Sequence, residues 1–203
     1  MQLKISDKAD KINPSLTLAI DSKLKQMISE GIKVYGFGAG EPDFDTPEYI
    51  RKAAIEAINT GFTRYTAAQG TLDLRKAICS KLERENRIKY NPNEIVVSSG
   101  AKHSLSNAFA AILNPGDEVV VPVPYWVSYT EIIKLNGGTP VLVNTKAENG
   151  FKMTKEELEG AITDKTKAVL LNTPNNPTGS VYGREDLRAL AETALKNNIY
   201  IVS

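Results

Sequence analysis

The chain has 203 residues, with 25 Lys or Arg against 24 Asp or Glu and a formal net charge of +1. That balance excludes a general polyanion binder, which would carry a large basic excess. Hydrophobic residues at 41% and charged residues at 24% exclude a disordered chain, and the single cysteine, Cys79, excludes an intramolecular disulfide framework. The opening Met1-Gln2-Leu3-Lys4-Ile5-Ser6 lacks the apolar stretch of a signal peptide. No apolar run approaches the ~18 residues of a membrane span. A cytoplasmic α/β protein that engages neither nucleic acid nor membrane is expected.

In chain order, Leu16 to Ser29 reads as a helix, and Val34 to Gly40 leads into the turn formers Glu41-Pro42-Asp43-Phe44-Asp45. Thr46 makes a good N-cap with Pro47 at the first helical position, starting a helix to about Asn59. Leu74, Ile78 and Leu82 recur at i+4 spacing, so Thr71 to about Arg87 reads as an amphipathic helix. Ile95–Val97, Val119–Val121, Val141–Val143, Ala168–Leu171 and Ile199–Val202 read as buried strands. Each is nearly continuous in apolar character, as in a sheet covered on both faces. Helical patterns lie at His103–Leu113, at Trp126–Asn136 and at Gly183–Asn197. The capping box Thr154-Lys155-Glu156-Glu157 opens another, to about Ile162. This alternation predicts a mostly parallel sheet flanked by helices. A domain boundary is expected near Asp45. The sequence stops close to its last strand, where a ligand-binding loop of an open α/β sheet would begin, so a truncated chain is expected.

Four loops offer chemistry. Ser98-Ser99-Gly100-Ala101-Lys102 joins an expected strand to an expected helix, where unpaired N–H groups and a glycine suit an anion; a hydroxyl-capped turn is the plainer alternative. Gly36-Phe37-Gly38-Ala39-Gly40 has glycines in the wrong register for a dinucleotide fingerprint and leads into Glu41-Pro42, not a helix. It is either a close-approach loop or an ordinary turn. Pro122-Val123-Pro124-Tyr125-Trp126 carries the only tryptophan, either a stacking platform or a core anchor. Asn172-Thr173-Pro174-Asn175-Asn176-Pro177-Thr178-Gly179 places two amides between two prolines, an unusual expense for a plain connection. Tyr65 is a polar-tipped aromatic with packing as its default. His103 lacks neighbours at metal spacing, and Cys79 reads as packed within a helix.

Five segments occur in one order: Gly38-Ala39-Gly40-Glu41-Pro42-Asp43-Phe44, Arg64-Tyr65-Thr66, Ser99-Gly100-Ala101-Lys102, Pro124-Tyr125-Trp126 and Pro174-Asn175-Asn176-Pro177-Thr178-Gly179. Together they make a chain that resembles the class I pyridoxal-phosphate aminotransferases, with a close match to the bacterial aspartate aminotransferases. The resemblance implies a fold-type-I transferase and a homodimer with shared active sites. Residues 1–45 would form an N-terminal arm and part of a small domain, and 46–203 the first part of the large cofactor domain. It implies that Gly100, Ala101 and Lys102 hold the cofactor phosphate and that Trp126 stacks on its ring. Asn176 would bond the phenolic oxygen and lie near the substrate carboxylate. Gly40 would offer its N–H to the α-carboxylate, and Tyr65 would reach the phosphate held by the other subunit. Lys102 would also attract the distal carboxylate of acidic substrates. In the family the bonds before the residues matching Pro124 and Pro177 are often cis.

The implied substrates are an amino acid, L-aspartate first, and a 2-oxo acid, 2-oxoglutarate. Aromatic, alanine or prephenate aminotransferases and a C–S lyase are the alternatives. The family's Schiff-base lysine, the aspartate facing the pyridine nitrogen and the arginine for the α-carboxylate have no match here and are expected beyond Ser203. The chain alone is therefore expected to be inactive. Prephenate users carry a lysine in an early Lys-Pro-Ser segment, where this sequence has Asn13-Pro14-Ser15.

Overall fold

A computed structural model describes residues 4–10, 12–14, 16–38 and 40–203. The helices are α1 (Asp7–Asp10), α2 (Leu16–Ser29), α3 (Glu48–Asn59), α4 (Leu72–Lys81), α5 (Ala101–Ile112), α6 (Ser128–Leu135), α7 (Lys155–Ala161) and α8 (Arg184–Lys196). The strands are β1 (Glu118–Val123), β2 (Thr139–Asn144), β3 (Thr166–Leu170) and β4 (Tyr200–Val202). All pair in parallel, in the order β2-β1-β3-β4. Val120 lies opposite Val141 on one side and Val169 on the other, and Val169 lies opposite Ile201.

Strand alternation divides the core in two. Val119, Val121, Ala168 and Leu170 face Phe109 of α5 and Tyr129, Ile132 and Ile133 of α6. Val120 and Val169 join Met153, Leu158 of α7, Tyr182 and Leu190 of α8 in a second cluster. Val119, Val120 and Val121 are therefore all fully buried, each contributing ~1.5–3 kcal/mol relative to exposure. This double covering is why their sequence shows no alternation of polarity.

The capping box expected at Thr154 forms in full: its Oγ1 accepts from the Glu157 N–H at 3.2 Å, and its N–H donates to Glu157 Oε2 at 2.8 Å. Elsewhere the ends differ from expectation. α3 starts at Glu48, so Pro47 and not Thr46 is the N-cap; the Pro47 carbonyl accepts from Ile50 and Arg51. α4 stops at Lys81 and continues as a π-helical turn, Leu82–Asn86, ended by Arg87 at φ 58°. α6 starts two residues after Trp126.

The strand expected at Ile95–Val97 does not form. Ile95 is extended (φ −107°, ψ 130°) and the Val97 N–H donates to the Gln69 carbonyl at 3.0 Å. No strand pairs with it among the described residues, and Val96 is 62% exposed. β-Branched residues supply extended backbone, but a strand also needs a neighbour to complete its ladder.

The chain divides into two compact units: Leu105–Ser203 with the described residues up to Ala19, and Ile20–Ser104. In the first, Asn13 binds Glu131 of α6 through its N–H (2.9 Å) and its amide (3.3 Å). In the second, a Cβ on Gly38 would lie 2.5 Å from Ile20 Cγ2, so this glycine lets its segment pass close over α2. No helix among the described residues is long and apolar enough to cross a membrane.

Candidate functional site

The carboxyl ends of β1 and β3 carry two of the four loops singled out in the sequence. Both loops turn on proline. The Val123–Pro124 and Asn176–Pro177 bonds are cis, as the resemblance implied, and Thr173–Pro174 is a third cis bond with no counterpart among the sequence expectations.

Trp126 is half-buried against the core cluster that α5 and α6 cover. Its ring meets Tyr129 edge to face, with centroids 5.3 Å apart and planes at 88°, a geometry that aromatic quadrupoles favour. Burial raises the Tyr129 hydroxyl above its ordinary pKa. Trp126 thus serves as a core anchor along one flank, while the rest of the indole stays accessible.

The two asparagines of the other loop divide the work. Asn175 is half-buried, and its Nδ2 donates to the Pro124 carbonyl at 3.1 Å and to Thr178 Oγ1 at 2.9 Å. Its backbone is held by Ser180 and Gly179. Asn176 is exposed, and its N–H donates to Asn172 Oδ1 at 2.8 Å. Behind them Tyr182 is buried, its hydroxyl accepting from the Met153 N–H at 2.8 Å while its own N–H donates to Thr173 Oγ1 at 3.1 Å. Burial pushes the Tyr182 hydroxyl upward in pKa, partly offset by that bond from Met153. Lys152 pairs with Asp186 at 2.7 Å, holding the Asp186 carboxyl below the usual range together with the Gly183 N–H. A shallow pocket opens between the loops, lined among others by Pro124, Tyr125, Tyr129, Asn172 and Asn175.

The remaining candidates lie in the other unit. Gly100 has φ +85°, and a Cβ there would meet open space. Ala101 and Lys102 form the first turn of α5 and are exposed, where a helix turns its N–H groups outward. His103 stiffens this turn: the Ser99 N–H donates to its Nδ1 at 3.1 Å. Gly40, exposed and unobstructed, lies between α2 and α3. Tyr65, fully exposed, lies between α3 and α4. The structure thus gathers Trp126 and Asn176 at one sheet edge and Gly100, Ala101 and Lys102 at one helix start. Gly40 and Tyr65 stand on separate loops.

Sequence patterns do not reveal these roles for Asn175, Tyr182 and His103. The asparagine pair between prolines is the available signal for Asn175, although nothing local says which amide turns inward. His103 is four residues beyond Ser99, within reach of the turn that opens its own helix.

The family model for aminotransferase class I and II matches residues 32–203. An aspartate aminotransferase of Bacillus sp. (strain YM-2) is 52% identical over the whole chain, which covers 52% of that protein. An aspartate/prephenate aminotransferase of Cereibacter sphaeroides is 49% identical over 98% of the chain and 50% of that protein. Among solved structures, the aspartate aminotransferase of Thermus thermophilus with maleate superposes with a TM-score of 0.95 at 43% identity, over 98% of this chain and 52% of that one. That of Rhizobium meliloti gives 0.93 at 45% identity, over 99% and 51%. The chain spans about half the length of the curated relatives it matches. A parallel sheet sheathed by helices, with proline-built loops at its carboxyl edge, accompanies sequence identity of this extent, and the chain belongs to the class I and II aminotransferases.

Proposed function

We propose that this chain is part of a pyridoxal-phosphate-dependent enzyme that moves the amino group of L-aspartate to 2-oxoglutarate. The observation that carries the reading is the linked pair of loops after β1 and β3, which presents an anchored indole and an exposed amide at the sheet edge. Residues 46–203 would belong to its large domain, and residues 1–45 to an N-terminal arm and part of a small one.

The residues present fit a flat anionic cofactor. Gly100, Ala101 and Lys102 would hold the phosphate, since the left-handed glycine leaves open space before outward-turned N–H groups. A charge-assisted hydrogen bond there is worth ~1.5–3 kcal/mol. Trp126 would cover the ring face, and Asn176 would donate to the phenolic oxygen. When bound, pyridoxal phosphate supplies an electron sink for charge developing at the amino acid's α-carbon. Gly40 would orient the α-carboxylate through its N–H, and Lys102 would favour a distal carboxylate. An exposed charge pair contributes little, so this preference needs a closed, drier site. Maleate, with which the Thermus thermophilus structure is described, is a four-carbon dicarboxylate and supports a substrate with two carboxylates.

Several relatives are named aspartate/prephenate aminotransferases. Asn13 stands where the resemblance puts a lysine in prephenate users, and its amide is directed to Glu131, so aspartate is preferred here. Tyr65, Phe37 and Phe44 are exposed aromatic side chains that suit the homodimer with shared sites. A cytoplasmic location completes the reading.

Titrating the chain with pyridoxal phosphate and with pyridoxal tests the cofactor assignment. The phosphate form should bind more tightly, and Gly100→Ala should narrow the gap. Equal affinity for the two compounds would refute it. The chain alone should show no turnover of aspartate with 2-oxoglutarate. In the longer protein, Lys102→Ala should lower the efficiency with aspartate relative to phenylalanine.

A further inference from the structure

We infer that Asn175 is a positioning residue that fixes the Trp126 loop and the Asn176 loop as one body. Four hydrogen bonds converge on it. Its side-chain nitrogen donates both protons, to the Pro124 carbonyl at 3.1 Å and to Thr178 Oγ1 at 2.9 Å. Its backbone N–H donates to the Ser180 carbonyl at 2.9 Å, and its own carbonyl accepts from the Gly179 N–H at 2.8 Å. The backbone bonds make Asn175 rigid within its own loop. The amide then reaches a residue 51 positions earlier in the chain.

Pro124 lies two residues before Trp126, and Asn175 lies one before Asn176. A displacement of either loop is therefore passed to the other through one side chain with little rotational freedom. Trp126 has an independent hold on its α6 side, the edge-to-face contact with Tyr129, whereas its approach from β1 runs through the Pro124 carbonyl. Asn is suited to this task because it offers two protons on one planar group. An aspartate of the same shape would turn acceptors toward the carbonyl. Alanine would leave that carbonyl without this donor, in a site where a lost partner carries a desolvation cost.

The inference rests on the proposed cofactor site only for its consequence in binding; the coupling of the loops stands without it. Trp126 is the chain's only tryptophan, so its fluorescence reports the far loop directly. Asn175→Asp should shift Trp126 emission to the red, raise its quenching by acrylamide, and weaken pyridoxal phosphate by about tenfold, equivalent to ~1.4 kcal/mol. Competition by inorganic phosphate should be unchanged relative to the parent chain. Thr178→Val, which keeps the reach to Pro124, should give a smaller shift in each. If Asn175→Asp does not fold by far-ultraviolet circular dichroism, Asn175→Ala reads the same quantities without a new charge. A folded Asn175 variant with parental Trp126 emission and quenching overturns the inference, as does a Thr178→Val effect equal to that at Asn175. Failure of the parent chain to bind pyridoxal phosphate would refute the cofactor reading, while the Trp126 signals would still decide the role of Asn175.

Discussion

Ile20–Ser104 and the unit built around Leu105–Ser203 are similar in the raw material of a core and differ in what they bury. All the buried side chains among the described residues lie in the sheet unit, including Phe109, Val119, Val120, Val121, Ile133, Leu158 and Leu190. Over 20–104 no described residue is buried, although α3 alone carries Tyr49, Ile50, Ile55 and Ile58. Apolar side chains at helical spacing make an amphipathic helix, but only a second covering layer turns that stripe into a core. The sheet supplies such a layer on both faces for α5 to α8. The proposed homodimer would ask the same of the exposed stripe on α3.

Phenylalanine at two sites puts the contrast to its hardest test. Phe109→Ala empties a site of 0% exposure and should cost ~3–5 kcal/mol. Phe37, at 95% exposure in the single chain, should change the stability of that chain as a monomer by no more than ~0.5 kcal/mol on truncation. Urea unfolding of the two variants measures both. A Phe37→Ala loss equal to that of Phe109→Ala would break the comparison.

A smaller effect tests whether polar groups contribute to the sheet unit alongside its apolar ones. Tyr182→Phe keeps the ring in its cluster but leaves the Met153 N–H without its acceptor. The expected cost is ~1–3 kcal/mol, again read from urea unfolding. A neutral result would mean that packing alone seats this ring.

Glycine separates backbone strain from packing across the two units. Gly100→Ala meets no atom within 4 Å but must adopt φ +85°, a left-handed conformation costing ~1–2 kcal/mol for a residue with a Cβ. Gly160 of the sheet unit also meets nothing within 4 Å but sits in helical backbone within α7, so Gly160→Ala should not destabilise and should gain up to ~1 kcal/mol. Equal losses at the two positions would remove backbone conformation as the explanation.

What could be read in advance follows the same division. Val119–Val121, Val141–Val143 and Ala168–Leu171 fall within or across the edge of real strands, because doubly covered strands need continuous apolar runs. Thr154 opens its helix as its spacing requires, since a capping box is satisfied within four residues. Ile95–Val97 has the same local character as those strands but no pairing neighbour among the described residues, and no local pattern encodes that. The proposed site is legible as five ordered segments, not as geometry. Asn175 and Asn176 are chemically identical, and only the tertiary position of the Pro124 carbonyl distinguishes bridge from exposed amide. Nor does Asn13 carry any local mark of its attachment to Glu131, 118 residues away.

That attachment yields the smallest expected effect and tests how firmly the N-terminal residues belong to the sheet unit. Burial alone would raise the Glu131 carboxyl, but the Asn13 N–H, the Lys134 ammonium and the Asn13 amide outweigh it and hold the group below the ordinary carboxylate range. A carboxyl with a folded pKa below its unfolded value of ~4.3 contributes stability above that pH. The contribution is lost as pH falls through the lower folded value, because protonation removes the charge that these donors favour. At neutral pH Glu131→Gln should cost less than ~1 kcal/mol, since the group is near the surface. At a pH below the folded value the variant and the parent should converge in urea midpoint, and the protection factor of the Asn13 N–H against exchange should fall in the parent over the same interval. A constant difference at all pH values would instead assign the contact to shape, leaving the carboxylate charge without a part in fastening these residues to α6.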